Sequence, residues 1–280
     1  MTSNDAAVPG DGGTVATKGL MPFDTSVAHH ARVYDYLLDG KDNYAADRAA
    51  AEATLKVWPE FAFAAQANRA FLGRVIRYLA GEAGIRQFLD IGTGIPTAGN
   101  THQVAQAIAA ESRVVYVDYD PIVLAHARAL LTSSEAGATE YIHADLRDTG
   151  TILDQARQLL DFTKPVAVSL IAILHAIPDA DDPHAIVATL LDAVPPGSYL
   201  AISHAGSDLL NRESKDGFDD VMSRMVQQQF TMRDREQVMQ FFAGTDLAEP
   251  GLVPIEEWRL APSATDPRRS SLWGAVGRKR

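Results

Sequence analysis

The spacing of hydrophobic residues divides this chain into a helical N-terminal part and a longer part in which strands and helices alternate. Up to about residue 80, apolar residues recur every three or four positions, which is the spacing of amphipathic helices. This pattern predicts helices over residues 27–38, 45–57 and 61–80. The first helix is expected to end at Asp39-Gly40, because glycine after the last turn accepts the left-handed backbone conformation.

Short apolar runs begin after residue 84 and alternate with amphipathic stretches. Each predicted helix follows a predicted strand, which is the order that parallel strands with crossover helices require. The predicted strands cover residues 86–91, 113–118, 139–143, 165–171 and 198–203. The predicted helices lie near residues 98–110, 121–132, 151–161, 183–193 and 208–229, with one more ending near Gly244.

The last two strand-like runs, 252–260 and 270–276, are joined by a loop of Pro, Ser and Asp without a helix. A short connection joins antiparallel neighbours, so the last strand should run against the others. The predicted fold is therefore α/β: a Rossmann-like sheet of seven strands, mostly parallel with an antiparallel last strand, which resembles the class I methyltransferase layout. We expect a disordered tail over 1–20, a helical lid or substrate region over 21–83, and a ligand-binding domain over 84–280.

Composition and charge narrow the function. The chain is 46% hydrophobic and 22% charged, and its net charge of −11 argues against a nucleic-acid partner, which needs a basic face. It contains no cysteine, which removes disulfides and thiol chemistry, and no ligand spacing suggests a metal. Without a signal peptide or a membrane span in the sequence, we expect a cytoplasmic protein. Self-association as a homodimer stays open.

A glycine turn marks the predicted cofactor site. The first strand runs through Asp90 into Gly92-Thr93-Gly94, and the next strand ends in Asp118. Glycines let a backbone approach a ligand closely, and an acid at the neighbouring strand end can bind ribose hydroxyls. An NAD site would place a third glycine where Thr97 stands, so S-adenosylmethionine (SAM) is favoured over NAD. Thr97 is expected to line the cofactor site and to begin the next helix.

Further cofactor contacts are predicted at two other strand ends. Asp145 follows the third strand, where an acid can bind the adenine amino group and Leu146 can cover the ring; the alternative is that Asp145 only caps a turn. Asp118 is favoured over Asp120 for the ribose, because Asp120 precedes a proline and suits a helix N-cap. Tyr119, between them, is included among the cofactor contacts.

His175 is the candidate catalytic residue. It follows the apolar run of the fourth strand, whose carboxyl end should face the methyl group, and imidazole is a suitable base for a hydroxyl or an amine. The alternative is a histidine bonded to a backbone group beneath the turn at Pro178. The other conspicuous pair, His29-His30, is expected to lie on the surface.

Polar aromatic residues gather in the N-terminal helical block around the turn at 39–41. Side chains with apolar bodies and polar tips suit a closed ligand site, which predicts substrate binding there. The alternative is that the aromatics only pack the first helix onto the sheet. The predicted substrate-binding residues are Tyr34, Tyr36, Asn43 and Tyr44.

Together these motifs resemble an actinobacterial family of S-adenosyl methyltransferases. The resemblance extends from about residue 22 to the C-terminus and is carried by 26–28, 32–44, 47–48, 68–69, 89–97, 115–121, 144–147 and 174–179. It implies a SAM-binding methyltransferase fold and no particular substrate. The leading hypothesis is a SAM-dependent methyltransferase acting on an oxygen or nitrogen of a small molecule. The alternatives are a non-catalytic SAM sensor or accessory protein and, less favoured, an NAD-linked oxidoreductase.

Overall fold

The computed structural model describes residues 24–130, 133–226, 229–260 and 268–280. The predicted tail at 1–20 lies outside these residues. Within them, the strands are β1 Gln87–Ile91, β2 Arg113–Asp118, β3 Ala138–His143, β4 Ala167–Ile171, β5 Tyr199–Ala205, β6 Thr245–Leu247, β7 Val253–Pro254 and β8 Leu272–Lys279. The α-helices are α1 His30–Leu37, α2 Ala45–Val57, α3 Phe61–Arg77, α4 Thr101–Ile108, α5 Pro121–Leu130, α6 Thr149–Ala156, α7 Pro183–Asp192, α8 Arg212–Val221 and α9 Arg235–Gln240.

The strands form one sheet in the order β3-β2-β1-β4-β5-β8-β6, with β7 pairing beside β8. The pairs among β1 to β5 are parallel, while β8 runs antiparallel to β5, β6 and β7. The chain leaves β1 toward one edge and returns through β4 toward the other, so β1 and β4 flank the switch point at which open α/β sheets bind ligands. The α/β prediction with a reversed last strand is confirmed.

Each face of the sheet is covered by its own hydrophobic cluster. Successive side chains of a strand point to opposite faces, so Phe88 and Val114 join one cluster while Leu89 and Val115 join the other. The first cluster includes the buried residues of α1, α2 and α3, and the second includes those of α6 and α7. The N-terminal helices therefore share a core with the sheet and lie close to its ligand-binding edge.

The sixth strand differs from the prediction. Only Val253–Pro254 of the run 252–260 is extended, and β6 takes the place beside β8. The residues after β7 turn instead, because the guanidinium of Arg74 donates hydrogen bonds to the carbonyl oxygens of Ile255 and Trp258 at 2.6 and 2.8 Å. Three residues of β6 are too few to show an alternating pattern in the sequence.

The end of the first helix also differs from the prediction. Asp39, not Gly40, has the left-handed backbone with φ of 60°. Gly40 is required for a different reason, because a Cβ there would collide with the carboxylate of Asp35. That carboxylate accepts hydrogen bonds from the backbone N–H of Asp42 at 2.9 Å and from the side-chain amide of Asn43 at 2.8 Å. The turn is thus organised by a buried acid.

Two further helices begin or end elsewhere than expected. The helix predicted at 98–110 begins at Thr101, after a loop in which Gly99 has φ of 75°. The stretch 208–229 is an α-helix only over Arg212–Val221 and continues as the π-helical turn Met222–Val226. No helix within the described ranges is long and apolar enough to cross a membrane. The cytoplasmic location and the homodimer stay predictions.

Candidate active site

The glycine turn after β1 lies against the turn after β4. Gly92 has φ of 76°, and a Cβ on it would stand 2.5 Å from the side chain of Ile173, so a larger residue cannot be placed there without displacement. Gly94 has φ of 67°, but a Cβ there would meet no atom within 4 Å. The first glycine allows close packing, and the second borders open space.

Asp118, at the end of β2, orders this turn. Its carboxylate accepts hydrogen bonds from the backbone N–H groups of Gly94 and Asp120, both at 2.9 Å. Burial raises the pKa of Asp118 to about 6, although these hydrogen bonds oppose the shift. Each carboxylate oxygen has a second lone pair for a ligand hydroxyl. Asp120 instead accepts from the N–H of Ile122 at 2.8 Å and so caps α5, as the sequence predicted.

Asp90, the last but one residue of β1, is a second buried acid beside the turn. The hydroxyl of Thr101 donates a 2.5 Å hydrogen bond to its carboxylate. Burial raises the pKa of Asp90 to about 6, and the guanidinium of Arg69 partly opposes this. Arg69 itself is half-buried and donates a 3.2 Å hydrogen bond to the carbonyl of Ala98. The carboxylate of Asp90 and the guanidinium of Arg69 therefore interact electrostatically beside the glycine turn.

Two adjoining cavities open on these strand ends. The large cavity, of about 570 Å³, lies over β2, the residues after β3 and the turns after β4. The small cavity, of about 160 Å³, lies between the glycine turn, α1, α3 and α8. The residues that line both are His30, Gly92, Asp118, Tyr119, Ile173 and Ala176.

Most of the predicted site residues line these cavities. Asp145 and Leu146 line the large cavity, in addition to the shared Gly92, Asp118 and Tyr119. The small cavity receives Tyr34, Asp90, Thr93, Gly94 and His175. The structure does not bring Thr97, Tyr36, Asn43 or Tyr44 to the lining of either cavity.

These four residues make other contacts. The N–H of Thr97 donates to the side chain of Asn100 at 3.2 Å, because the residue lies in the loop that precedes α4 rather than in the helix. Tyr36 donates to Glu52 at 3.3 Å, and Asn43 belongs to the turn described above. Tyr44 precedes α2 at an exposed position, where its backbone N–H donates to Asp47 at 2.8 Å.

Asp145 lines the large cavity and also makes hydrogen bonds within the turn that follows β3. Its side chain lines the large cavity, and it also accepts a hydrogen bond from the N–H of Arg147 and pairs with that guanidinium, both at 2.9 Å. Arg147 also contacts Asp181 at 2.8 Å, across the mouth of the cavity. Leu146 is 5% exposed and forms an apolar wall beside these charges.

His175 is an uncharged ring in the wall of the small cavity. Its ring stacks on Phe230 with centroids 4.0 Å apart, and within the described residues its Nδ1 has no hydrogen-bond partner. Burial holds the pKa of His175 well below its usual value, with help from the nearby His204, His30 and Arg233. Among the described residues, the ring makes no hydrogen bond to a backbone group, which was the alternative interpretation; the N–H of Thr231 donates to the backbone carbonyl of His175 instead.

The match to a family model decides the family. The model of the S-adenosyl methyltransferase family matches residues 17–280, which is nearly the whole chain. The chain belongs to this family. SAM is therefore the cofactor rather than NAD, and the protein is a SAM-dependent methyltransferase.

Two solved structures support the same relationship. A DUF574 family protein from Streptomyces avermitilis is 43% identical, with a TM-score of 0.88 over 92% of this chain and 99% of that one. A Thermobifida fusca protein is 38% identical, with a TM-score of 0.83 over 92% of this chain and 97% of its own. No curated protein matches the methyltransferase.

The site of the methyltransferase fits SAM. The turn has open space at Gly94, so a ligand can approach its backbone closely, and the buried carboxylate of Asp118 keeps lone pairs for the ribose hydroxyls. The large cavity provides an acid and an apolar wall, Asp145 and Leu146, in the places predicted for the adenine. Arg69 lines the small cavity together with the glycine turn, and its half-buried guanidinium donates to the carbonyl of Ala98 in the loop that follows.

Several site residues were missed from the sequence. His29 and His30, expected on the surface, line the small cavity; His29 contacts Asp120 at 3.1 Å and the hydroxyl of Tyr119 at 2.8 Å. Their position at the start of α1 gave no sign of burial. Arg69 could have been found, because it stands in one of the motifs that carry the family resemblance. The apolar wall of the small cavity comes from distant helices, and no local pattern distinguishes it from ordinary core.

Proposed function

We propose that the methyltransferase transfers the methyl group of SAM to an oxygen or nitrogen of a small molecule bound in the small cavity. The observation that supports this most is the junction of the two cavities at Gly92, Asp118 and Ile173. A ligand held at the strand ends of the large cavity reaches the small cavity there. The small cavity is enclosed by the N-terminal helices, which suits an acceptor that must be shielded from water.

The proposed roles in holding SAM follow the chemistry of each side chain. Asp118 accepts hydrogen bonds from the ribose hydroxyls, and Asp145 with Leu146 holds the adenine. The turn Gly92–Gly94 and the guanidinium of Arg69 receive the amino-acid end, whose carboxylate suits an arginine fork. When bound, SAM supplies a methyl group on a positively charged sulfur, which an acceptor takes by in-line displacement.

Positioning supplies most of the rate in this reaction, because bringing the acceptor in line removes the entropic part of the barrier. We propose that the imidazole of His175, which lines the small cavity, accepts a hydrogen bond from the acceptor. Its lowered pKa keeps the ring neutral, so the nitrogen lone pair is available at neutral pH. His175 thereby orients the acceptor and receives its proton.

Calorimetric titration with SAM, followed by turnover of methyl-labelled SAM in a metabolite extract, tests the proposal. We expect binding and label transfer in the native protein. His175→Gln should keep SAM affinity while lowering kcat by roughly 100-fold, within the usual contribution of acid–base catalysis. His184→Gln is the matched control, because His184 stacks on Phe241 at 4.3 Å and lies outside both cavity linings. Undiminished transfer by His175→Gln would show that the imidazole has no such role.

A further inference from the structure

The small cavity contains two unlike ends. Its charged lining residues other than histidine are Arg69, Asp90 and Asp118. All three lie at the glycine loop: Asp118 accepts from the N–H of Gly94, Asp90 is the last but one residue of β1, and Arg69 donates to the carbonyl of Ala98. The opposite end is apolar. A ligand held there meets no charged side chain of the described lining.

The apolar end is built largely from aromatic rings. Trp58, Phe61 and Phe218 contact one another with centroids 4.9 to 5.6 Å apart. Phe218 contacts Phe230 at 4.7 Å, and Phe230 stacks on His175 at 4.0 Å. These spacings are those of stacked and edge-to-face aromatic pairs. An aromatic ligand can pack against the exposed faces and edges of these rings in the same arrangement. The aromatic wall therefore extends from the helical block to the candidate catalytic histidine.

Two imidazoles and the indole of Trp58 each have a ring nitrogen without a hydrogen-bond partner among the described residues of this lining. His30 and His175 both line the cavity, and each has one ring nitrogen, Nε2 of His30 and Nδ1 of His175, without a hydrogen-bond partner among the described residues. A buried nitrogen without a partner is uncommon in native proteins and calls for a ligand or a water. Burial also lowers the pKa of His30, to about 3, so both rings are neutral. A neutral ring nitrogen that lacks hydrogen accepts a hydrogen bond.

We propose that the acceptor is a neutral, single-ring aromatic molecule whose ring carries a hydroxyl group, bound against the aromatic wall with its hydroxyl group toward His175. This rests on the proposed function and names its substrate class. An amine of ordinary basicity is charged at neutral pH, with a pKa near 10, and this end has no carboxylate to balance it. An aliphatic hydroxyl, with a pKa near that of water at about 16, is too weak an acid for a buried imidazole. A phenolic hydroxyl, with a pKa of about 10, is both neutral and acidic enough.

The size of the cavity limits the size of the ring. An apolar protein cavity of about 150 Å³ is known to hold benzene. The small cavity has about 160 Å³ and shares its glycine-loop end with SAM, so the acceptor is no larger than a single ring. In the reaction, the hydroxyl oxygen forms a bond to the methyl carbon while the electron pair of the broken carbon–sulfur bond stays on sulfur. The hydroxyl proton moves to the imidazole of His175 and passes to solvent after the products leave. Positive charge thus disappears from sulfur as it appears on the imidazole.

Binding of three small probes tests the inference without relying on turnover. The protein is first saturated with S-adenosylhomocysteine, and 4-methylphenol, cyclohexanol and benzylamine are then titrated at pH 7 by calorimetry. We expect 4-methylphenol to bind roughly fivefold more tightly than cyclohexanol, since an aromatic pair contributes about 1 kcal/mol beyond burial. Benzylamine should bind most weakly. Equal or tighter binding of either comparison probe, or no binding of 4-methylphenol, would overturn the inference.

A pair of variants on α3 locates the binding site. Phe61→Ala removes a ring of the aromatic wall and should weaken 4-methylphenol binding roughly tenfold. Phe63→Ala is the matched control, because Phe63 is two residues away on the same helix and lies outside the cavity lining. Phe61→Leu replaces Phe61→Ala if the latter does not fold. Equal effects of the substitutions at 61 and 63 would place the probe elsewhere and contradict the inference.

The same titrations separate the two proposals. Failure of S-adenosylhomocysteine and SAM to bind would contradict the proposed function itself. Tight binding of both, together with no preference for the phenol, would contradict only the aromatic hydroxyl acceptor.

Discussion

The two cavities of the methyltransferase are built in different ways. The large cavity takes most of its walls from the carboxyl ends of β1, β2 and β3 and from the turns after β4. The small cavity collects residues from His29 near one end of the described chain to Leu272 near the other. A site at strand ends follows from the order of strands in the sheet, whereas a site between helices depends on how those helices pack. The proposed cofactor site therefore rests on topology, and the proposed acceptor site rests on tertiary packing.

The buried ionisable groups at the two ends of the small cavity differ as well. At the glycine turn, burial raises the pKa of Asp90 and Asp118, both to about 6. Toward the proposed acceptor end, burial lowers the pKa of His30 to about 3 and that of His175 well below its usual value. The same physical cause, removal from water, acts with opposite sign on acids and bases. It favours the uncharged form of all four groups.

The largest effect is expected from Asp118→Ala, which should weaken SAM binding roughly 100-fold. The substitution removes the proposed ribose partner and leaves the N–H groups of Gly94 and Asp120 without their acceptor, a loss of about 2–3 kcal/mol. Calorimetric titration with SAM measures this change in affinity. Asp154→Ala, an exposed acid of α6, is the control and should bind SAM normally. If Asp118→Ala binds SAM normally, the assignment of the large cavity to the cofactor is wrong, and the contrast between the cavities loses its basis.

A pair of glycine substitutions separates close packing from backbone strain in the turn. Both glycines have positive φ, so each alanine costs about 1–2 kcal/mol in backbone strain. Gly92→Ala also drives a Cβ into Ile173 and should lower the free energy of unfolding by about 1–3 kcal/mol more than Gly94→Ala. Urea denaturation of both variants measures the difference. Equal losses would show that the contact between the turns after β1 and β4 is not tight.

The opposite pKa shifts predict opposite changes in the pH dependence of stability. His30 has a folded-state pKa of about 3, below its unfolded value of 6.5, so it takes up a proton on unfolding between these values and the free energy of unfolding falls as pH falls. Asp118 has a folded-state pKa of about 6, above its unfolded value of 3.8, so between pH 6 and 3.8 the folded state holds the extra proton and the free energy of unfolding rises as pH falls.

Denaturation between pH 4 and 6 measures both contributions. As the pH falls from 6 to 4, the free energy of unfolding of His30→Gln should fall less than that of the native protein, and that of Asp118→Asn should fall more. Each change is at most about 1.4 kcal/mol per pH unit, the value for one proton. Changes in the same direction for both variants would contradict the view that burial shifts the two groups oppositely.

The helical block shows where sequence reasoning lost accuracy. Its three helices were predicted close to where they occur, since amphipathic spacing is a local property. Which of their side chains reach the site was not predicted correctly. Tyr34 reaches the small cavity, while Tyr36, Asn43 and Tyr44 make contacts elsewhere. The polar residues around 39–44 suggested a binding site, but they form a turn that is ordered by the buried carboxylate of Asp35. Because Asp35 belongs to the preceding helix, the sequence of the turn itself did not show this structural role.

By itself, the sequence determined the cofactor half of this methyltransferase. Alternating apolar runs specify parallel strands with crossover helices, and parallel strands bring their carboxyl ends to one edge, so Gly92, Asp118 and Asp145 had to meet. Only the tertiary structure decided the acceptor half. Phe61, Phe218 and Phe230 come together because helices separated by some 150 residues pack on one face of the sheet. Helix packing depends on the fit of whole surfaces, which no local spacing of residues records.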